Sequence, residues 1–163
     1  MISIVGKSNS GKTTVVEGLV LRLKKMGYKV GTIKHSVNDY EIDIEGRDSW
    51  RHRKAGADIS AISSPNKISF IKEVSKDTSI DEIVSSYFNN LDIIITEGYK
   101  KEGKPKIEVS RREISDKLIC DEDELLAVVS DNKVGVRVPR FDFEEPDLLA
   151  EFIEREFLMK GKE

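Results

Sequence analysis

The residues best suited to chemistry lie near the amino terminus, where residues 6–13 read G-K-S-N-S-G-K-T. This segment fits the pattern G-x-x-x-x-G-K-[ST], in which a glycine-containing loop turns its backbone N–H groups around a polyphosphate. Lys12 is expected to reach the β- and γ-phosphates and act in catalysis, and the Thr13 hydroxyl is expected to ligate Mg²⁺. The segment therefore predicts a nucleoside triphosphate site, and its expected binding residues are Gly6, Lys7, Ser8, Asn9, Ser10, Gly11, Lys12, Thr13 and Thr14.

The flanking elements have the character that such a loop requires. An apolar run over residues 2–5 predicts a strand before it, and apolar residues at helical spacing from about residue 12 to 26 predict a helix after it. Strands and helices continue to alternate along the chain, and a clean period-two alternation over residues 67–72 indicates an exposed, antiparallel strand. We therefore expect a single P-loop nucleotide-binding domain over residues 1–163. Its fold class is α/β, an open, mainly parallel P-loop NTPase sheet with helices on both faces and a small antiparallel portion.

Acidic side chains near the carboxyl ends of the predicted strands are candidates for the metal site. Ligands of open parallel sheets bind at those ends, so the strand exits after Val5, Lys34 and Thr96 are the positions of interest. Glu97 follows the third exit, where it is expected to hold Mg²⁺ and to take part in catalysis. Asp39 or Asp43, which follow the second exit, could complete an oxygen shell of the kind that Mg²⁺ prefers.

A stripe of basic residues adjoins this acidic stretch. Arg47, Arg51 and Lys54 share one face of a short predicted helix. Such a stripe is either a solvated surface or a wall that faces an anion, and the sequence leaves both open.

Composition excludes several other functions. The net charge of −3 gives no overall reason to expect nucleic acid or an anionic membrane as partner. No apolar run approaches the roughly 20 residues that a membrane-spanning helix needs. The single cysteine, Cys120, excludes an intrachain disulfide, and the expected location is the cytoplasm.

Several blocks together resemble one family. The phosphate loop is followed by T-I-K-H at residues 32–35, G-R-D-S at residues 46–49 and E-G-Y-K at residues 97–100. In this order they resemble the molybdopterin-guanine dinucleotide biosynthesis protein B family. The resemblance implies a homodimeric GTP-binding accessory protein of molybdenum cofactor maturation with slow Mg²⁺-dependent GTP hydrolysis. Its implied partner is the guanylyltransferase that joins GMP to molybdopterin, with molybdoenzymes or molybdopterin itself as further partners.

The resemblance also implies roles for individual residues. Lys12, Thr13 and Thr14 would handle phosphates and metal, and Asp43 and Glu97 are the candidate acids. The residues implied to face substrate or partner are Lys34, His35, Arg47, Asp48, Arg51 and Lys100.

The chain departs from the family pattern at several positions. Val37 and Asn38 stand where the family usually has two further histidines, and Glu45 stands where a proline is common. The guanine-reading pattern N-K-x-D is also absent, so Asp131 is only a candidate for contacting the guanine edge.

Two other functional classes share this α/β plan. One is an ATP-dependent biosynthetic ligase or kinase of the dethiobiotin-synthetase type, for which Arg47, Arg51 and Lys54 would form the acceptor pocket. The other is a dimeric switch ATPase, in which Lys7 would reach across the dimer. Its loops carry consecutive glycines where this chain has Ser8 and Asn9.

Overall fold

The structure is a computed structural model that describes residues 1–115 and 117–159. These residues form two compact units, one made of the chain up to His35 together with the chain from Phe88 onward, the other of Ser36–Tyr87. The expectation of a single domain stays a prediction. In chain order the elements are β1 (Ile2–Val5), α1 (Lys12–Lys25), β2 (Val30–Lys34), α2 (Asp48–Lys54), β3 (Ile59–Ser64), β4 (Lys67–Lys72), α3 (Ile80–Tyr87), β5 (Ile93–Glu97), β6 (Lys106–Ser110), β7 (Leu125–Ser130), β8 (Arg140–Phe141) and α4 (Pro146–Ile153). A 3₁₀ turn (Glu122–Glu124) precedes β7, and a π-helical stretch (Glu154–Met159) follows α4.

The first unit contains a six-stranded sheet in the order β2-β5-β1-β6-β7-β8, and every neighbouring pair is parallel. The central strands β1, β5 and β6 read as nearly continuous buried runs, as expected for strands covered on both sides. Because all six strands point the same way, their carboxyl ends open at one edge of the sheet. The phosphate loop, Glu97 and the residues after Ser110 and Ser130 all lie at that edge.

One face of this sheet packs on the first and last helices. Ile2 and Ile4 of β1 are fully buried, and they share a core with Leu19 and Leu23 of α1 and with Ile153 of α4. The four-residue spacing in α1 places its apolar side chains on one stripe, and α1 and α4 also contact each other. This packing fixes the position of α1, and therefore of the phosphate loop that leads into it.

The central strands also bury several polar side chains. Thr96 donates a hydrogen bond to Ser3 across β5 and β1 at 2.9 Å. The buried Glu108 carboxylate accepts hydrogen bonds from the backbone N–H groups of Ile119 (2.7 Å) and Cys120 (2.9 Å). Burial, together with the neighbouring Glu108 carboxylate, raises the pKa of the Cys120 thiol to about 12. The thiol therefore stays protonated at neutral pH, which makes it a poor nucleophile.

The second unit contains the antiparallel hairpin β3–β4, with Ile59 opposite Lys72 and Ser64 opposite Lys67. Residues 39–44, whose alternating pattern is typical of a strand or a loop edge, form neither helix nor strand. The Ser79 hydroxyl accepts a hydrogen bond from the backbone N–H of Glu82 at 3.3 Å, so Ser79 caps the start of α3.

The mainly parallel sheet with helices and a small antiparallel portion is confirmed. Strand β8 was not anticipated, because a two-residue strand is too short to carry a periodic signal. None of the helices in the described part of the chain is long and apolar enough to cross a membrane.

Candidate functional site

The phosphate loop joins β1 to α1 with backbone angles that favour glycine. Gly6 has φ +147°, and a Cβ built on it would lie 2.3 Å from the Val109 carbonyl oxygen on β6. Gly11, the residue before α1, has φ +96°, and Asn9 has φ +62°. The first helical N–H groups of α1 lack intrahelical acceptors and lie at the positive end of the helix dipole. The loop therefore has the backbone of an anion site.

A buried hydroxyl inside the loop has no hydrogen-bond partner among the described residues. Ser10 is 1% exposed, and its Oγ makes no hydrogen bond to the chain in residues 1–115 or 117–159. Its backbone N–H donates to the Lys7 carbonyl at 3.3 Å, which tightens the turn. Because buried polar groups are normally paired, this hydroxyl fits a site that a polar ligand or water completes.

The two lysines of the loop point to different partners. Lys12 Nζ donates to the carbonyl oxygens of Gly6 (3.1 Å) and Lys7 (2.7 Å), so its ammonium lies over the loop. Lys7 Nζ donates instead to Ser115 Oγ of the same chain at 2.7 Å. Ser8 and Thr14 are exposed, and their predicted roles in binding stay predictions.

Glu97 ends β5 beside the start of α1, as the sequence predicts. Its Oε2 accepts a hydrogen bond from Thr13 Oγ1 at 3.1 Å, and its Oε1 lies 3.4 Å from Lys34 Nζ at the end of β2. The Glu97 side chain is 14% exposed, and that of Lys34 is 68% exposed. The structure thus brings together residues from three strand exits that the sequence places at one edge.

A second contact joins the exits of β2 and β5. The backbone N–H of His35 donates to the Glu97 carbonyl at 3.0 Å, and the rings of His35 and Tyr99 have centroids 4.6 Å apart. Gly98, which lies between Glu97 and Tyr99 in the chain, has φ +102°, and a Cβ built on it would lie 3.3 Å from the Cβ of His35. His35 therefore packs beside Glu97, while Lys100 is exposed beyond it.

Asp131, the candidate for contacting guanine, follows β7 at the same sheet edge. Its Oδ1 accepts a hydrogen bond from the backbone N–H of Arg112 at 2.8 Å. This bond ties the segment after β6 to the segment after β7. The carboxylate itself is exposed, and its role toward a base stays a prediction.

Asp43, the other predicted metal ligand, belongs to the second unit and already has cationic and hydroxyl partners there. Its Oδ1 accepts a hydrogen bond from Ser49 Oγ at 2.8 Å, and its Oδ2 lies 3.4 Å from Arg53 Nε. Arg53 also pairs with Glu41 and, at 2.8 Å, with Glu73. The hydrogen bond from Arg53 holds the pKa of Glu41 below its usual range, and the three carboxylates raise the pKa of the guanidinium. Arg53 is thus the centre of an acidic cluster, which the basic stripe of the sequence did not indicate.

The stripe itself remains on the surface. Arg47 and Arg51 are exposed, Asp48 is the first residue of α2, and Lys54 Nζ lies 5.5 Å from the ring centroid of Trp50. This face is exposed to solvent, and its role as a wall that faces an anion stays a prediction.

Sequence reasoning missed one cation beside the loop. Arg111 directly follows β6, and its guanidinium carbon lies 4.1 Å from the ring centroid of Phe143. A Cβ built on Gly11 would lie 3.3 Å from Arg111 Nε and 3.1 Å from Phe143 Cε1. The basic residues after this strand gave a weak signal, but their distance in sequence from the loop concealed the contact.

The chemistry of the site suits a magnesium ion held together with a nucleotide. In residues 1–115 and 117–159, no cluster of three or more His, Cys, Asp or Glu side chains could hold a metal ion. Mg²⁺ often uses only one or two protein oxygen ligands beside phosphate and water, and Thr13 and Glu97 could provide them. The residues therefore fit a metal that arrives with phosphates.

Comparison with known proteins agrees with the resemblance of the sequence blocks. Residues 1–131 match the model of a family described as "Molybdopterin guanine dinucleotide synthesis protein B". The chain is 32% identical to the molybdopterin-guanine dinucleotide biosynthesis adapter protein of Haemophilus influenzae, over 94% of this chain and 87% of that protein. It is 30% identical to the protein of the same name from Escherichia coli, over 94% of this chain and 90% of that protein.

Solved structures show the same likeness. A crystal structure of molybdopterin-guanine biosynthesis protein B (MobB) is similar with a TM-score of 0.73 and 32% identity, over 94% of this chain and 96% of that one. The crystal structure of Bacillus subtilis MobB is similar with a TM-score of 0.75 and 26% identity, over 93% and 96% of the two chains. The chain therefore belongs to the molybdopterin guanine dinucleotide synthesis protein B family.

Proposed function

We propose that this chain is a GTP-binding adapter protein in the biosynthesis of molybdopterin guanine dinucleotide, with slow Mg²⁺-dependent GTP hydrolysis. Family membership and the adapter names of the relatives from Haemophilus influenzae and Escherichia coli support the adapter role. The backbone of the phosphate loop supports the proposal that the chain binds a nucleotide. The cytoplasmic location expected from the sequence stays a prediction.

The observation that carries the proposal is the contact between Thr13 and Glu97 beside the phosphate loop. A hydroxyl and a carboxylate 3.1 Å apart, next to an amide-lined turn, are suitable ligands for Mg²⁺ that arrives with a triphosphate. When bound, the ion would neutralise charge on the phosphate oxygens. Lys12 would add a second cation after exchanging its contacts with the loop carbonyls for phosphate oxygens.

We expect hydrolysis to be slow because Glu97 serves the metal. Its two carboxylate oxygens face Thr13 and Lys34, so neither is aimed at a water that could attack the terminal phosphate. Phosphoryl transfer without a positioned water is slow in nucleotide switches. This expectation agrees with a protein that works mainly by binding.

The guanine preference, the homodimer and the protein partners are also part of the proposal. Asp131 would receive the guanine edge through Oδ2, because Oδ1 already accepts a bond from Arg112. The homodimer is supported by apolar side chains on the hairpin β3–β4, where Ile62 is 56% exposed and Ile68 is 72% exposed. The proposed partners are the guanylyltransferase, molybdoenzymes and molybdopterin.

Calorimetric titration of GTP and ATP in Mg²⁺ buffer tests the proposal. We expect GTP to bind at least about tenfold more tightly than ATP, since correct placement of one polar edge contributes about that factor. Lys12→Ala should weaken GTP binding about 100-fold, because it removes charge-assisted bonds to phosphate. Lys24→Ala, in the last turn of α1, is the matched control and should bind like the wild type.

Two results would contradict different parts of the proposal. A clear preference for ATP would overturn the guanine assignment and favour the ligase or switch-ATPase alternatives. Equal GTP affinity of the wild type and Lys12→Ala would show that the phosphate loop does not bind the nucleotide.

A further inference from the structure

Arg111 lies where the chain order of the sheet changes direction. From β1 the chain crosses through α1 to β2 on one side of the sheet, whereas β6, β7 and β8 lie on the other side of β1. In open α/β sheets, ligands bind outside the carboxyl ends of the strands at such a point. Arg111 is the first residue after β6, the strand that pairs with β1, so it enters this crevice directly.

The packing of Arg111 fixes its guanidinium against the phosphate loop. The guanidinium stacks on the Phe143 ring at 4.1 Å, and its Nε approaches the open side of Gly11. Phe143 in turn packs against the main hydrophobic core. A cation over an aromatic ring is attracted to it, and the rigid ring limits the rotamers of the arginine. Glu97 contacts the opposite flank of the loop, from β5.

Among the described residues, no carboxylate balances the charge of Arg111. Its side chain is half-buried. Arg53, by contrast, pairs with three carboxylates. A partly desolvated cation without a counter-ion is costly unless an anion completes it. A Cβ built on Gly11, within the loop shaped for anions, would lie 3.3 Å from Arg111 Nε.

We propose that Arg111 binds the polyphosphate of the nucleotide, with Phe143 as its positioning residue. This inference rests on the function proposed above and adds a second fixed cation to that site. Arginine presents donors in a planar fork that matches phosphate oxygens. The metal and Glu97 would approach the phosphates from the β5 side, and Arg111 from the β6 side.

Binding of two ligands to two matched variants tests this role. The ligands are GTP and inorganic tripolyphosphate, which has the charge but no nucleoside, both measured by displacement of a fluorescent GTP analogue. Arg111→Gln should bind both ligands at least about tenfold more weakly, the factor expected for a lost charge-assisted bond. Arg112→Gln removes the same charge from an exposed neighbour and keeps its backbone bond to Asp131, so it should stay within about twofold of the wild type.

A third variant tests the positioning role of the ring. Phe143→Leu keeps the charge of Arg111 but removes the ring on which its guanidinium stacks. We expect Phe143→Leu to lose less affinity for both ligands than Arg111→Gln and more than Arg112→Gln. Arg111→Lys keeps a cation and should recover part of the affinity lost in Arg111→Gln. Such a recovery would show that the positive charge, and not misfolding of the glutamine variant, accounts for the loss. Thermal unfolding of each variant is measured alongside.

The outcomes separate this inference from the proposed function. If Arg111→Gln weakens GTP but not tripolyphosphate, the side chain contacts the nucleoside and the inference is wrong. If it weakens neither while the wild type binds both, Arg111 is a packing residue only. If the wild type itself binds neither ligand, the proposed function fails and the inference fails with it.

Discussion

Glu97 and Asp43 are acidic residues with similar sequence signals and different surroundings. Both follow predicted strand exits and both were expected to hold Mg²⁺. Glu97 contacts a neutral hydroxyl at 3.1 Å and a largely exposed lysine at 3.4 Å. Asp43 contacts a hydroxyl and the guanidinium of Arg53, and its side chain is only 8% exposed.

The difference shows why a carboxylate's partners matter more than its place in the sequence. Lys34 can move away from Glu97 at little cost, because a long exposed side chain gains little from an ion pair in water. Arg53 cannot leave Asp43 as easily, since Arg53 is 10% exposed and also bound to Glu41 and Glu73. Glu97 is thus available to a metal, whereas Asp43 is committed to its own unit.

The largest expected difference between Glu97 and Asp43 is in the Mg²⁺ dependence of GTP binding. Glu97→Gln keeps the shape of the side chain and removes the charge, so we expect the Mg²⁺-dependent gain in GTP affinity to fall about tenfold. Binding without Mg²⁺ should be unchanged or slightly tighter, because one negative charge near the phosphates is lost. Titration of GTP at several Mg²⁺ concentrations measures both.

Asp43→Asn is the matched control for that experiment. It makes the same change at the acid that Arg53 already neutralises, and we expect its Mg²⁺ dependence to stay within about twofold of the wild type. The reverse pattern, with Asp43→Asn losing the magnesium effect and Glu97→Gln keeping it, would exchange the roles of the two residues.

The second effect concerns acid stability of the second unit. Arg53 holds the pKa of Glu41 below its usual value of 4.5, so this ion pair adds stability above that pH, which is lost as the pH falls through the lowered pKa. Arg53→Met should lower the unfolding midpoint at neutral pH by about 5 °C. It should also flatten the fall in stability between neutral pH and about pH 3, because the paired state is already absent.

Trp50, the single tryptophan of the chain, lies in α2 and reports on this unit by its fluorescence. Arg51→Met in the same helix is the control, because Arg51 is exposed. Identical pH profiles for Arg53→Met and the wild type would show that the cluster does not stabilise the unit.

The strands, the phosphate loop and the position of Glu97 could be predicted because each depends on local sequence. Apolar runs, a glycine pattern and an acid directly after a strand are all readable within about ten residues. Packing within the first unit then brings these segments together at one edge of its sheet.

The partners of charged residues could not be predicted in the same way. Arg53 meets Glu73, twenty residues later, and Arg111 meets Gly11, one hundred residues earlier. Such pairs depend on tertiary packing, which helical or strand periodicity does not encode. The basic stripe of α2 illustrates this, because Arg53, which forms the ion pairs, lies outside it.

The smallest expected effect concerns the reactivity of Cys120 beside Glu108, a third carboxylate. Both oxygens of Glu108 accept hydrogen bonds from backbone N–H groups. Burial and this neighbouring charge raise the pKa of Cys120 to about 12, so the thiol should stay protonated in the folded chain at pH 8. We expect iodoacetamide to label folded Cys120 at least about tenfold more slowly than the same chain in urea, where the pKa returns to about 8.5. The labelling rate of the folded chain should keep rising with pH beyond pH 9. Equal rates in buffer and in urea would mean that Glu108 and the surrounding packing do not protect the thiol.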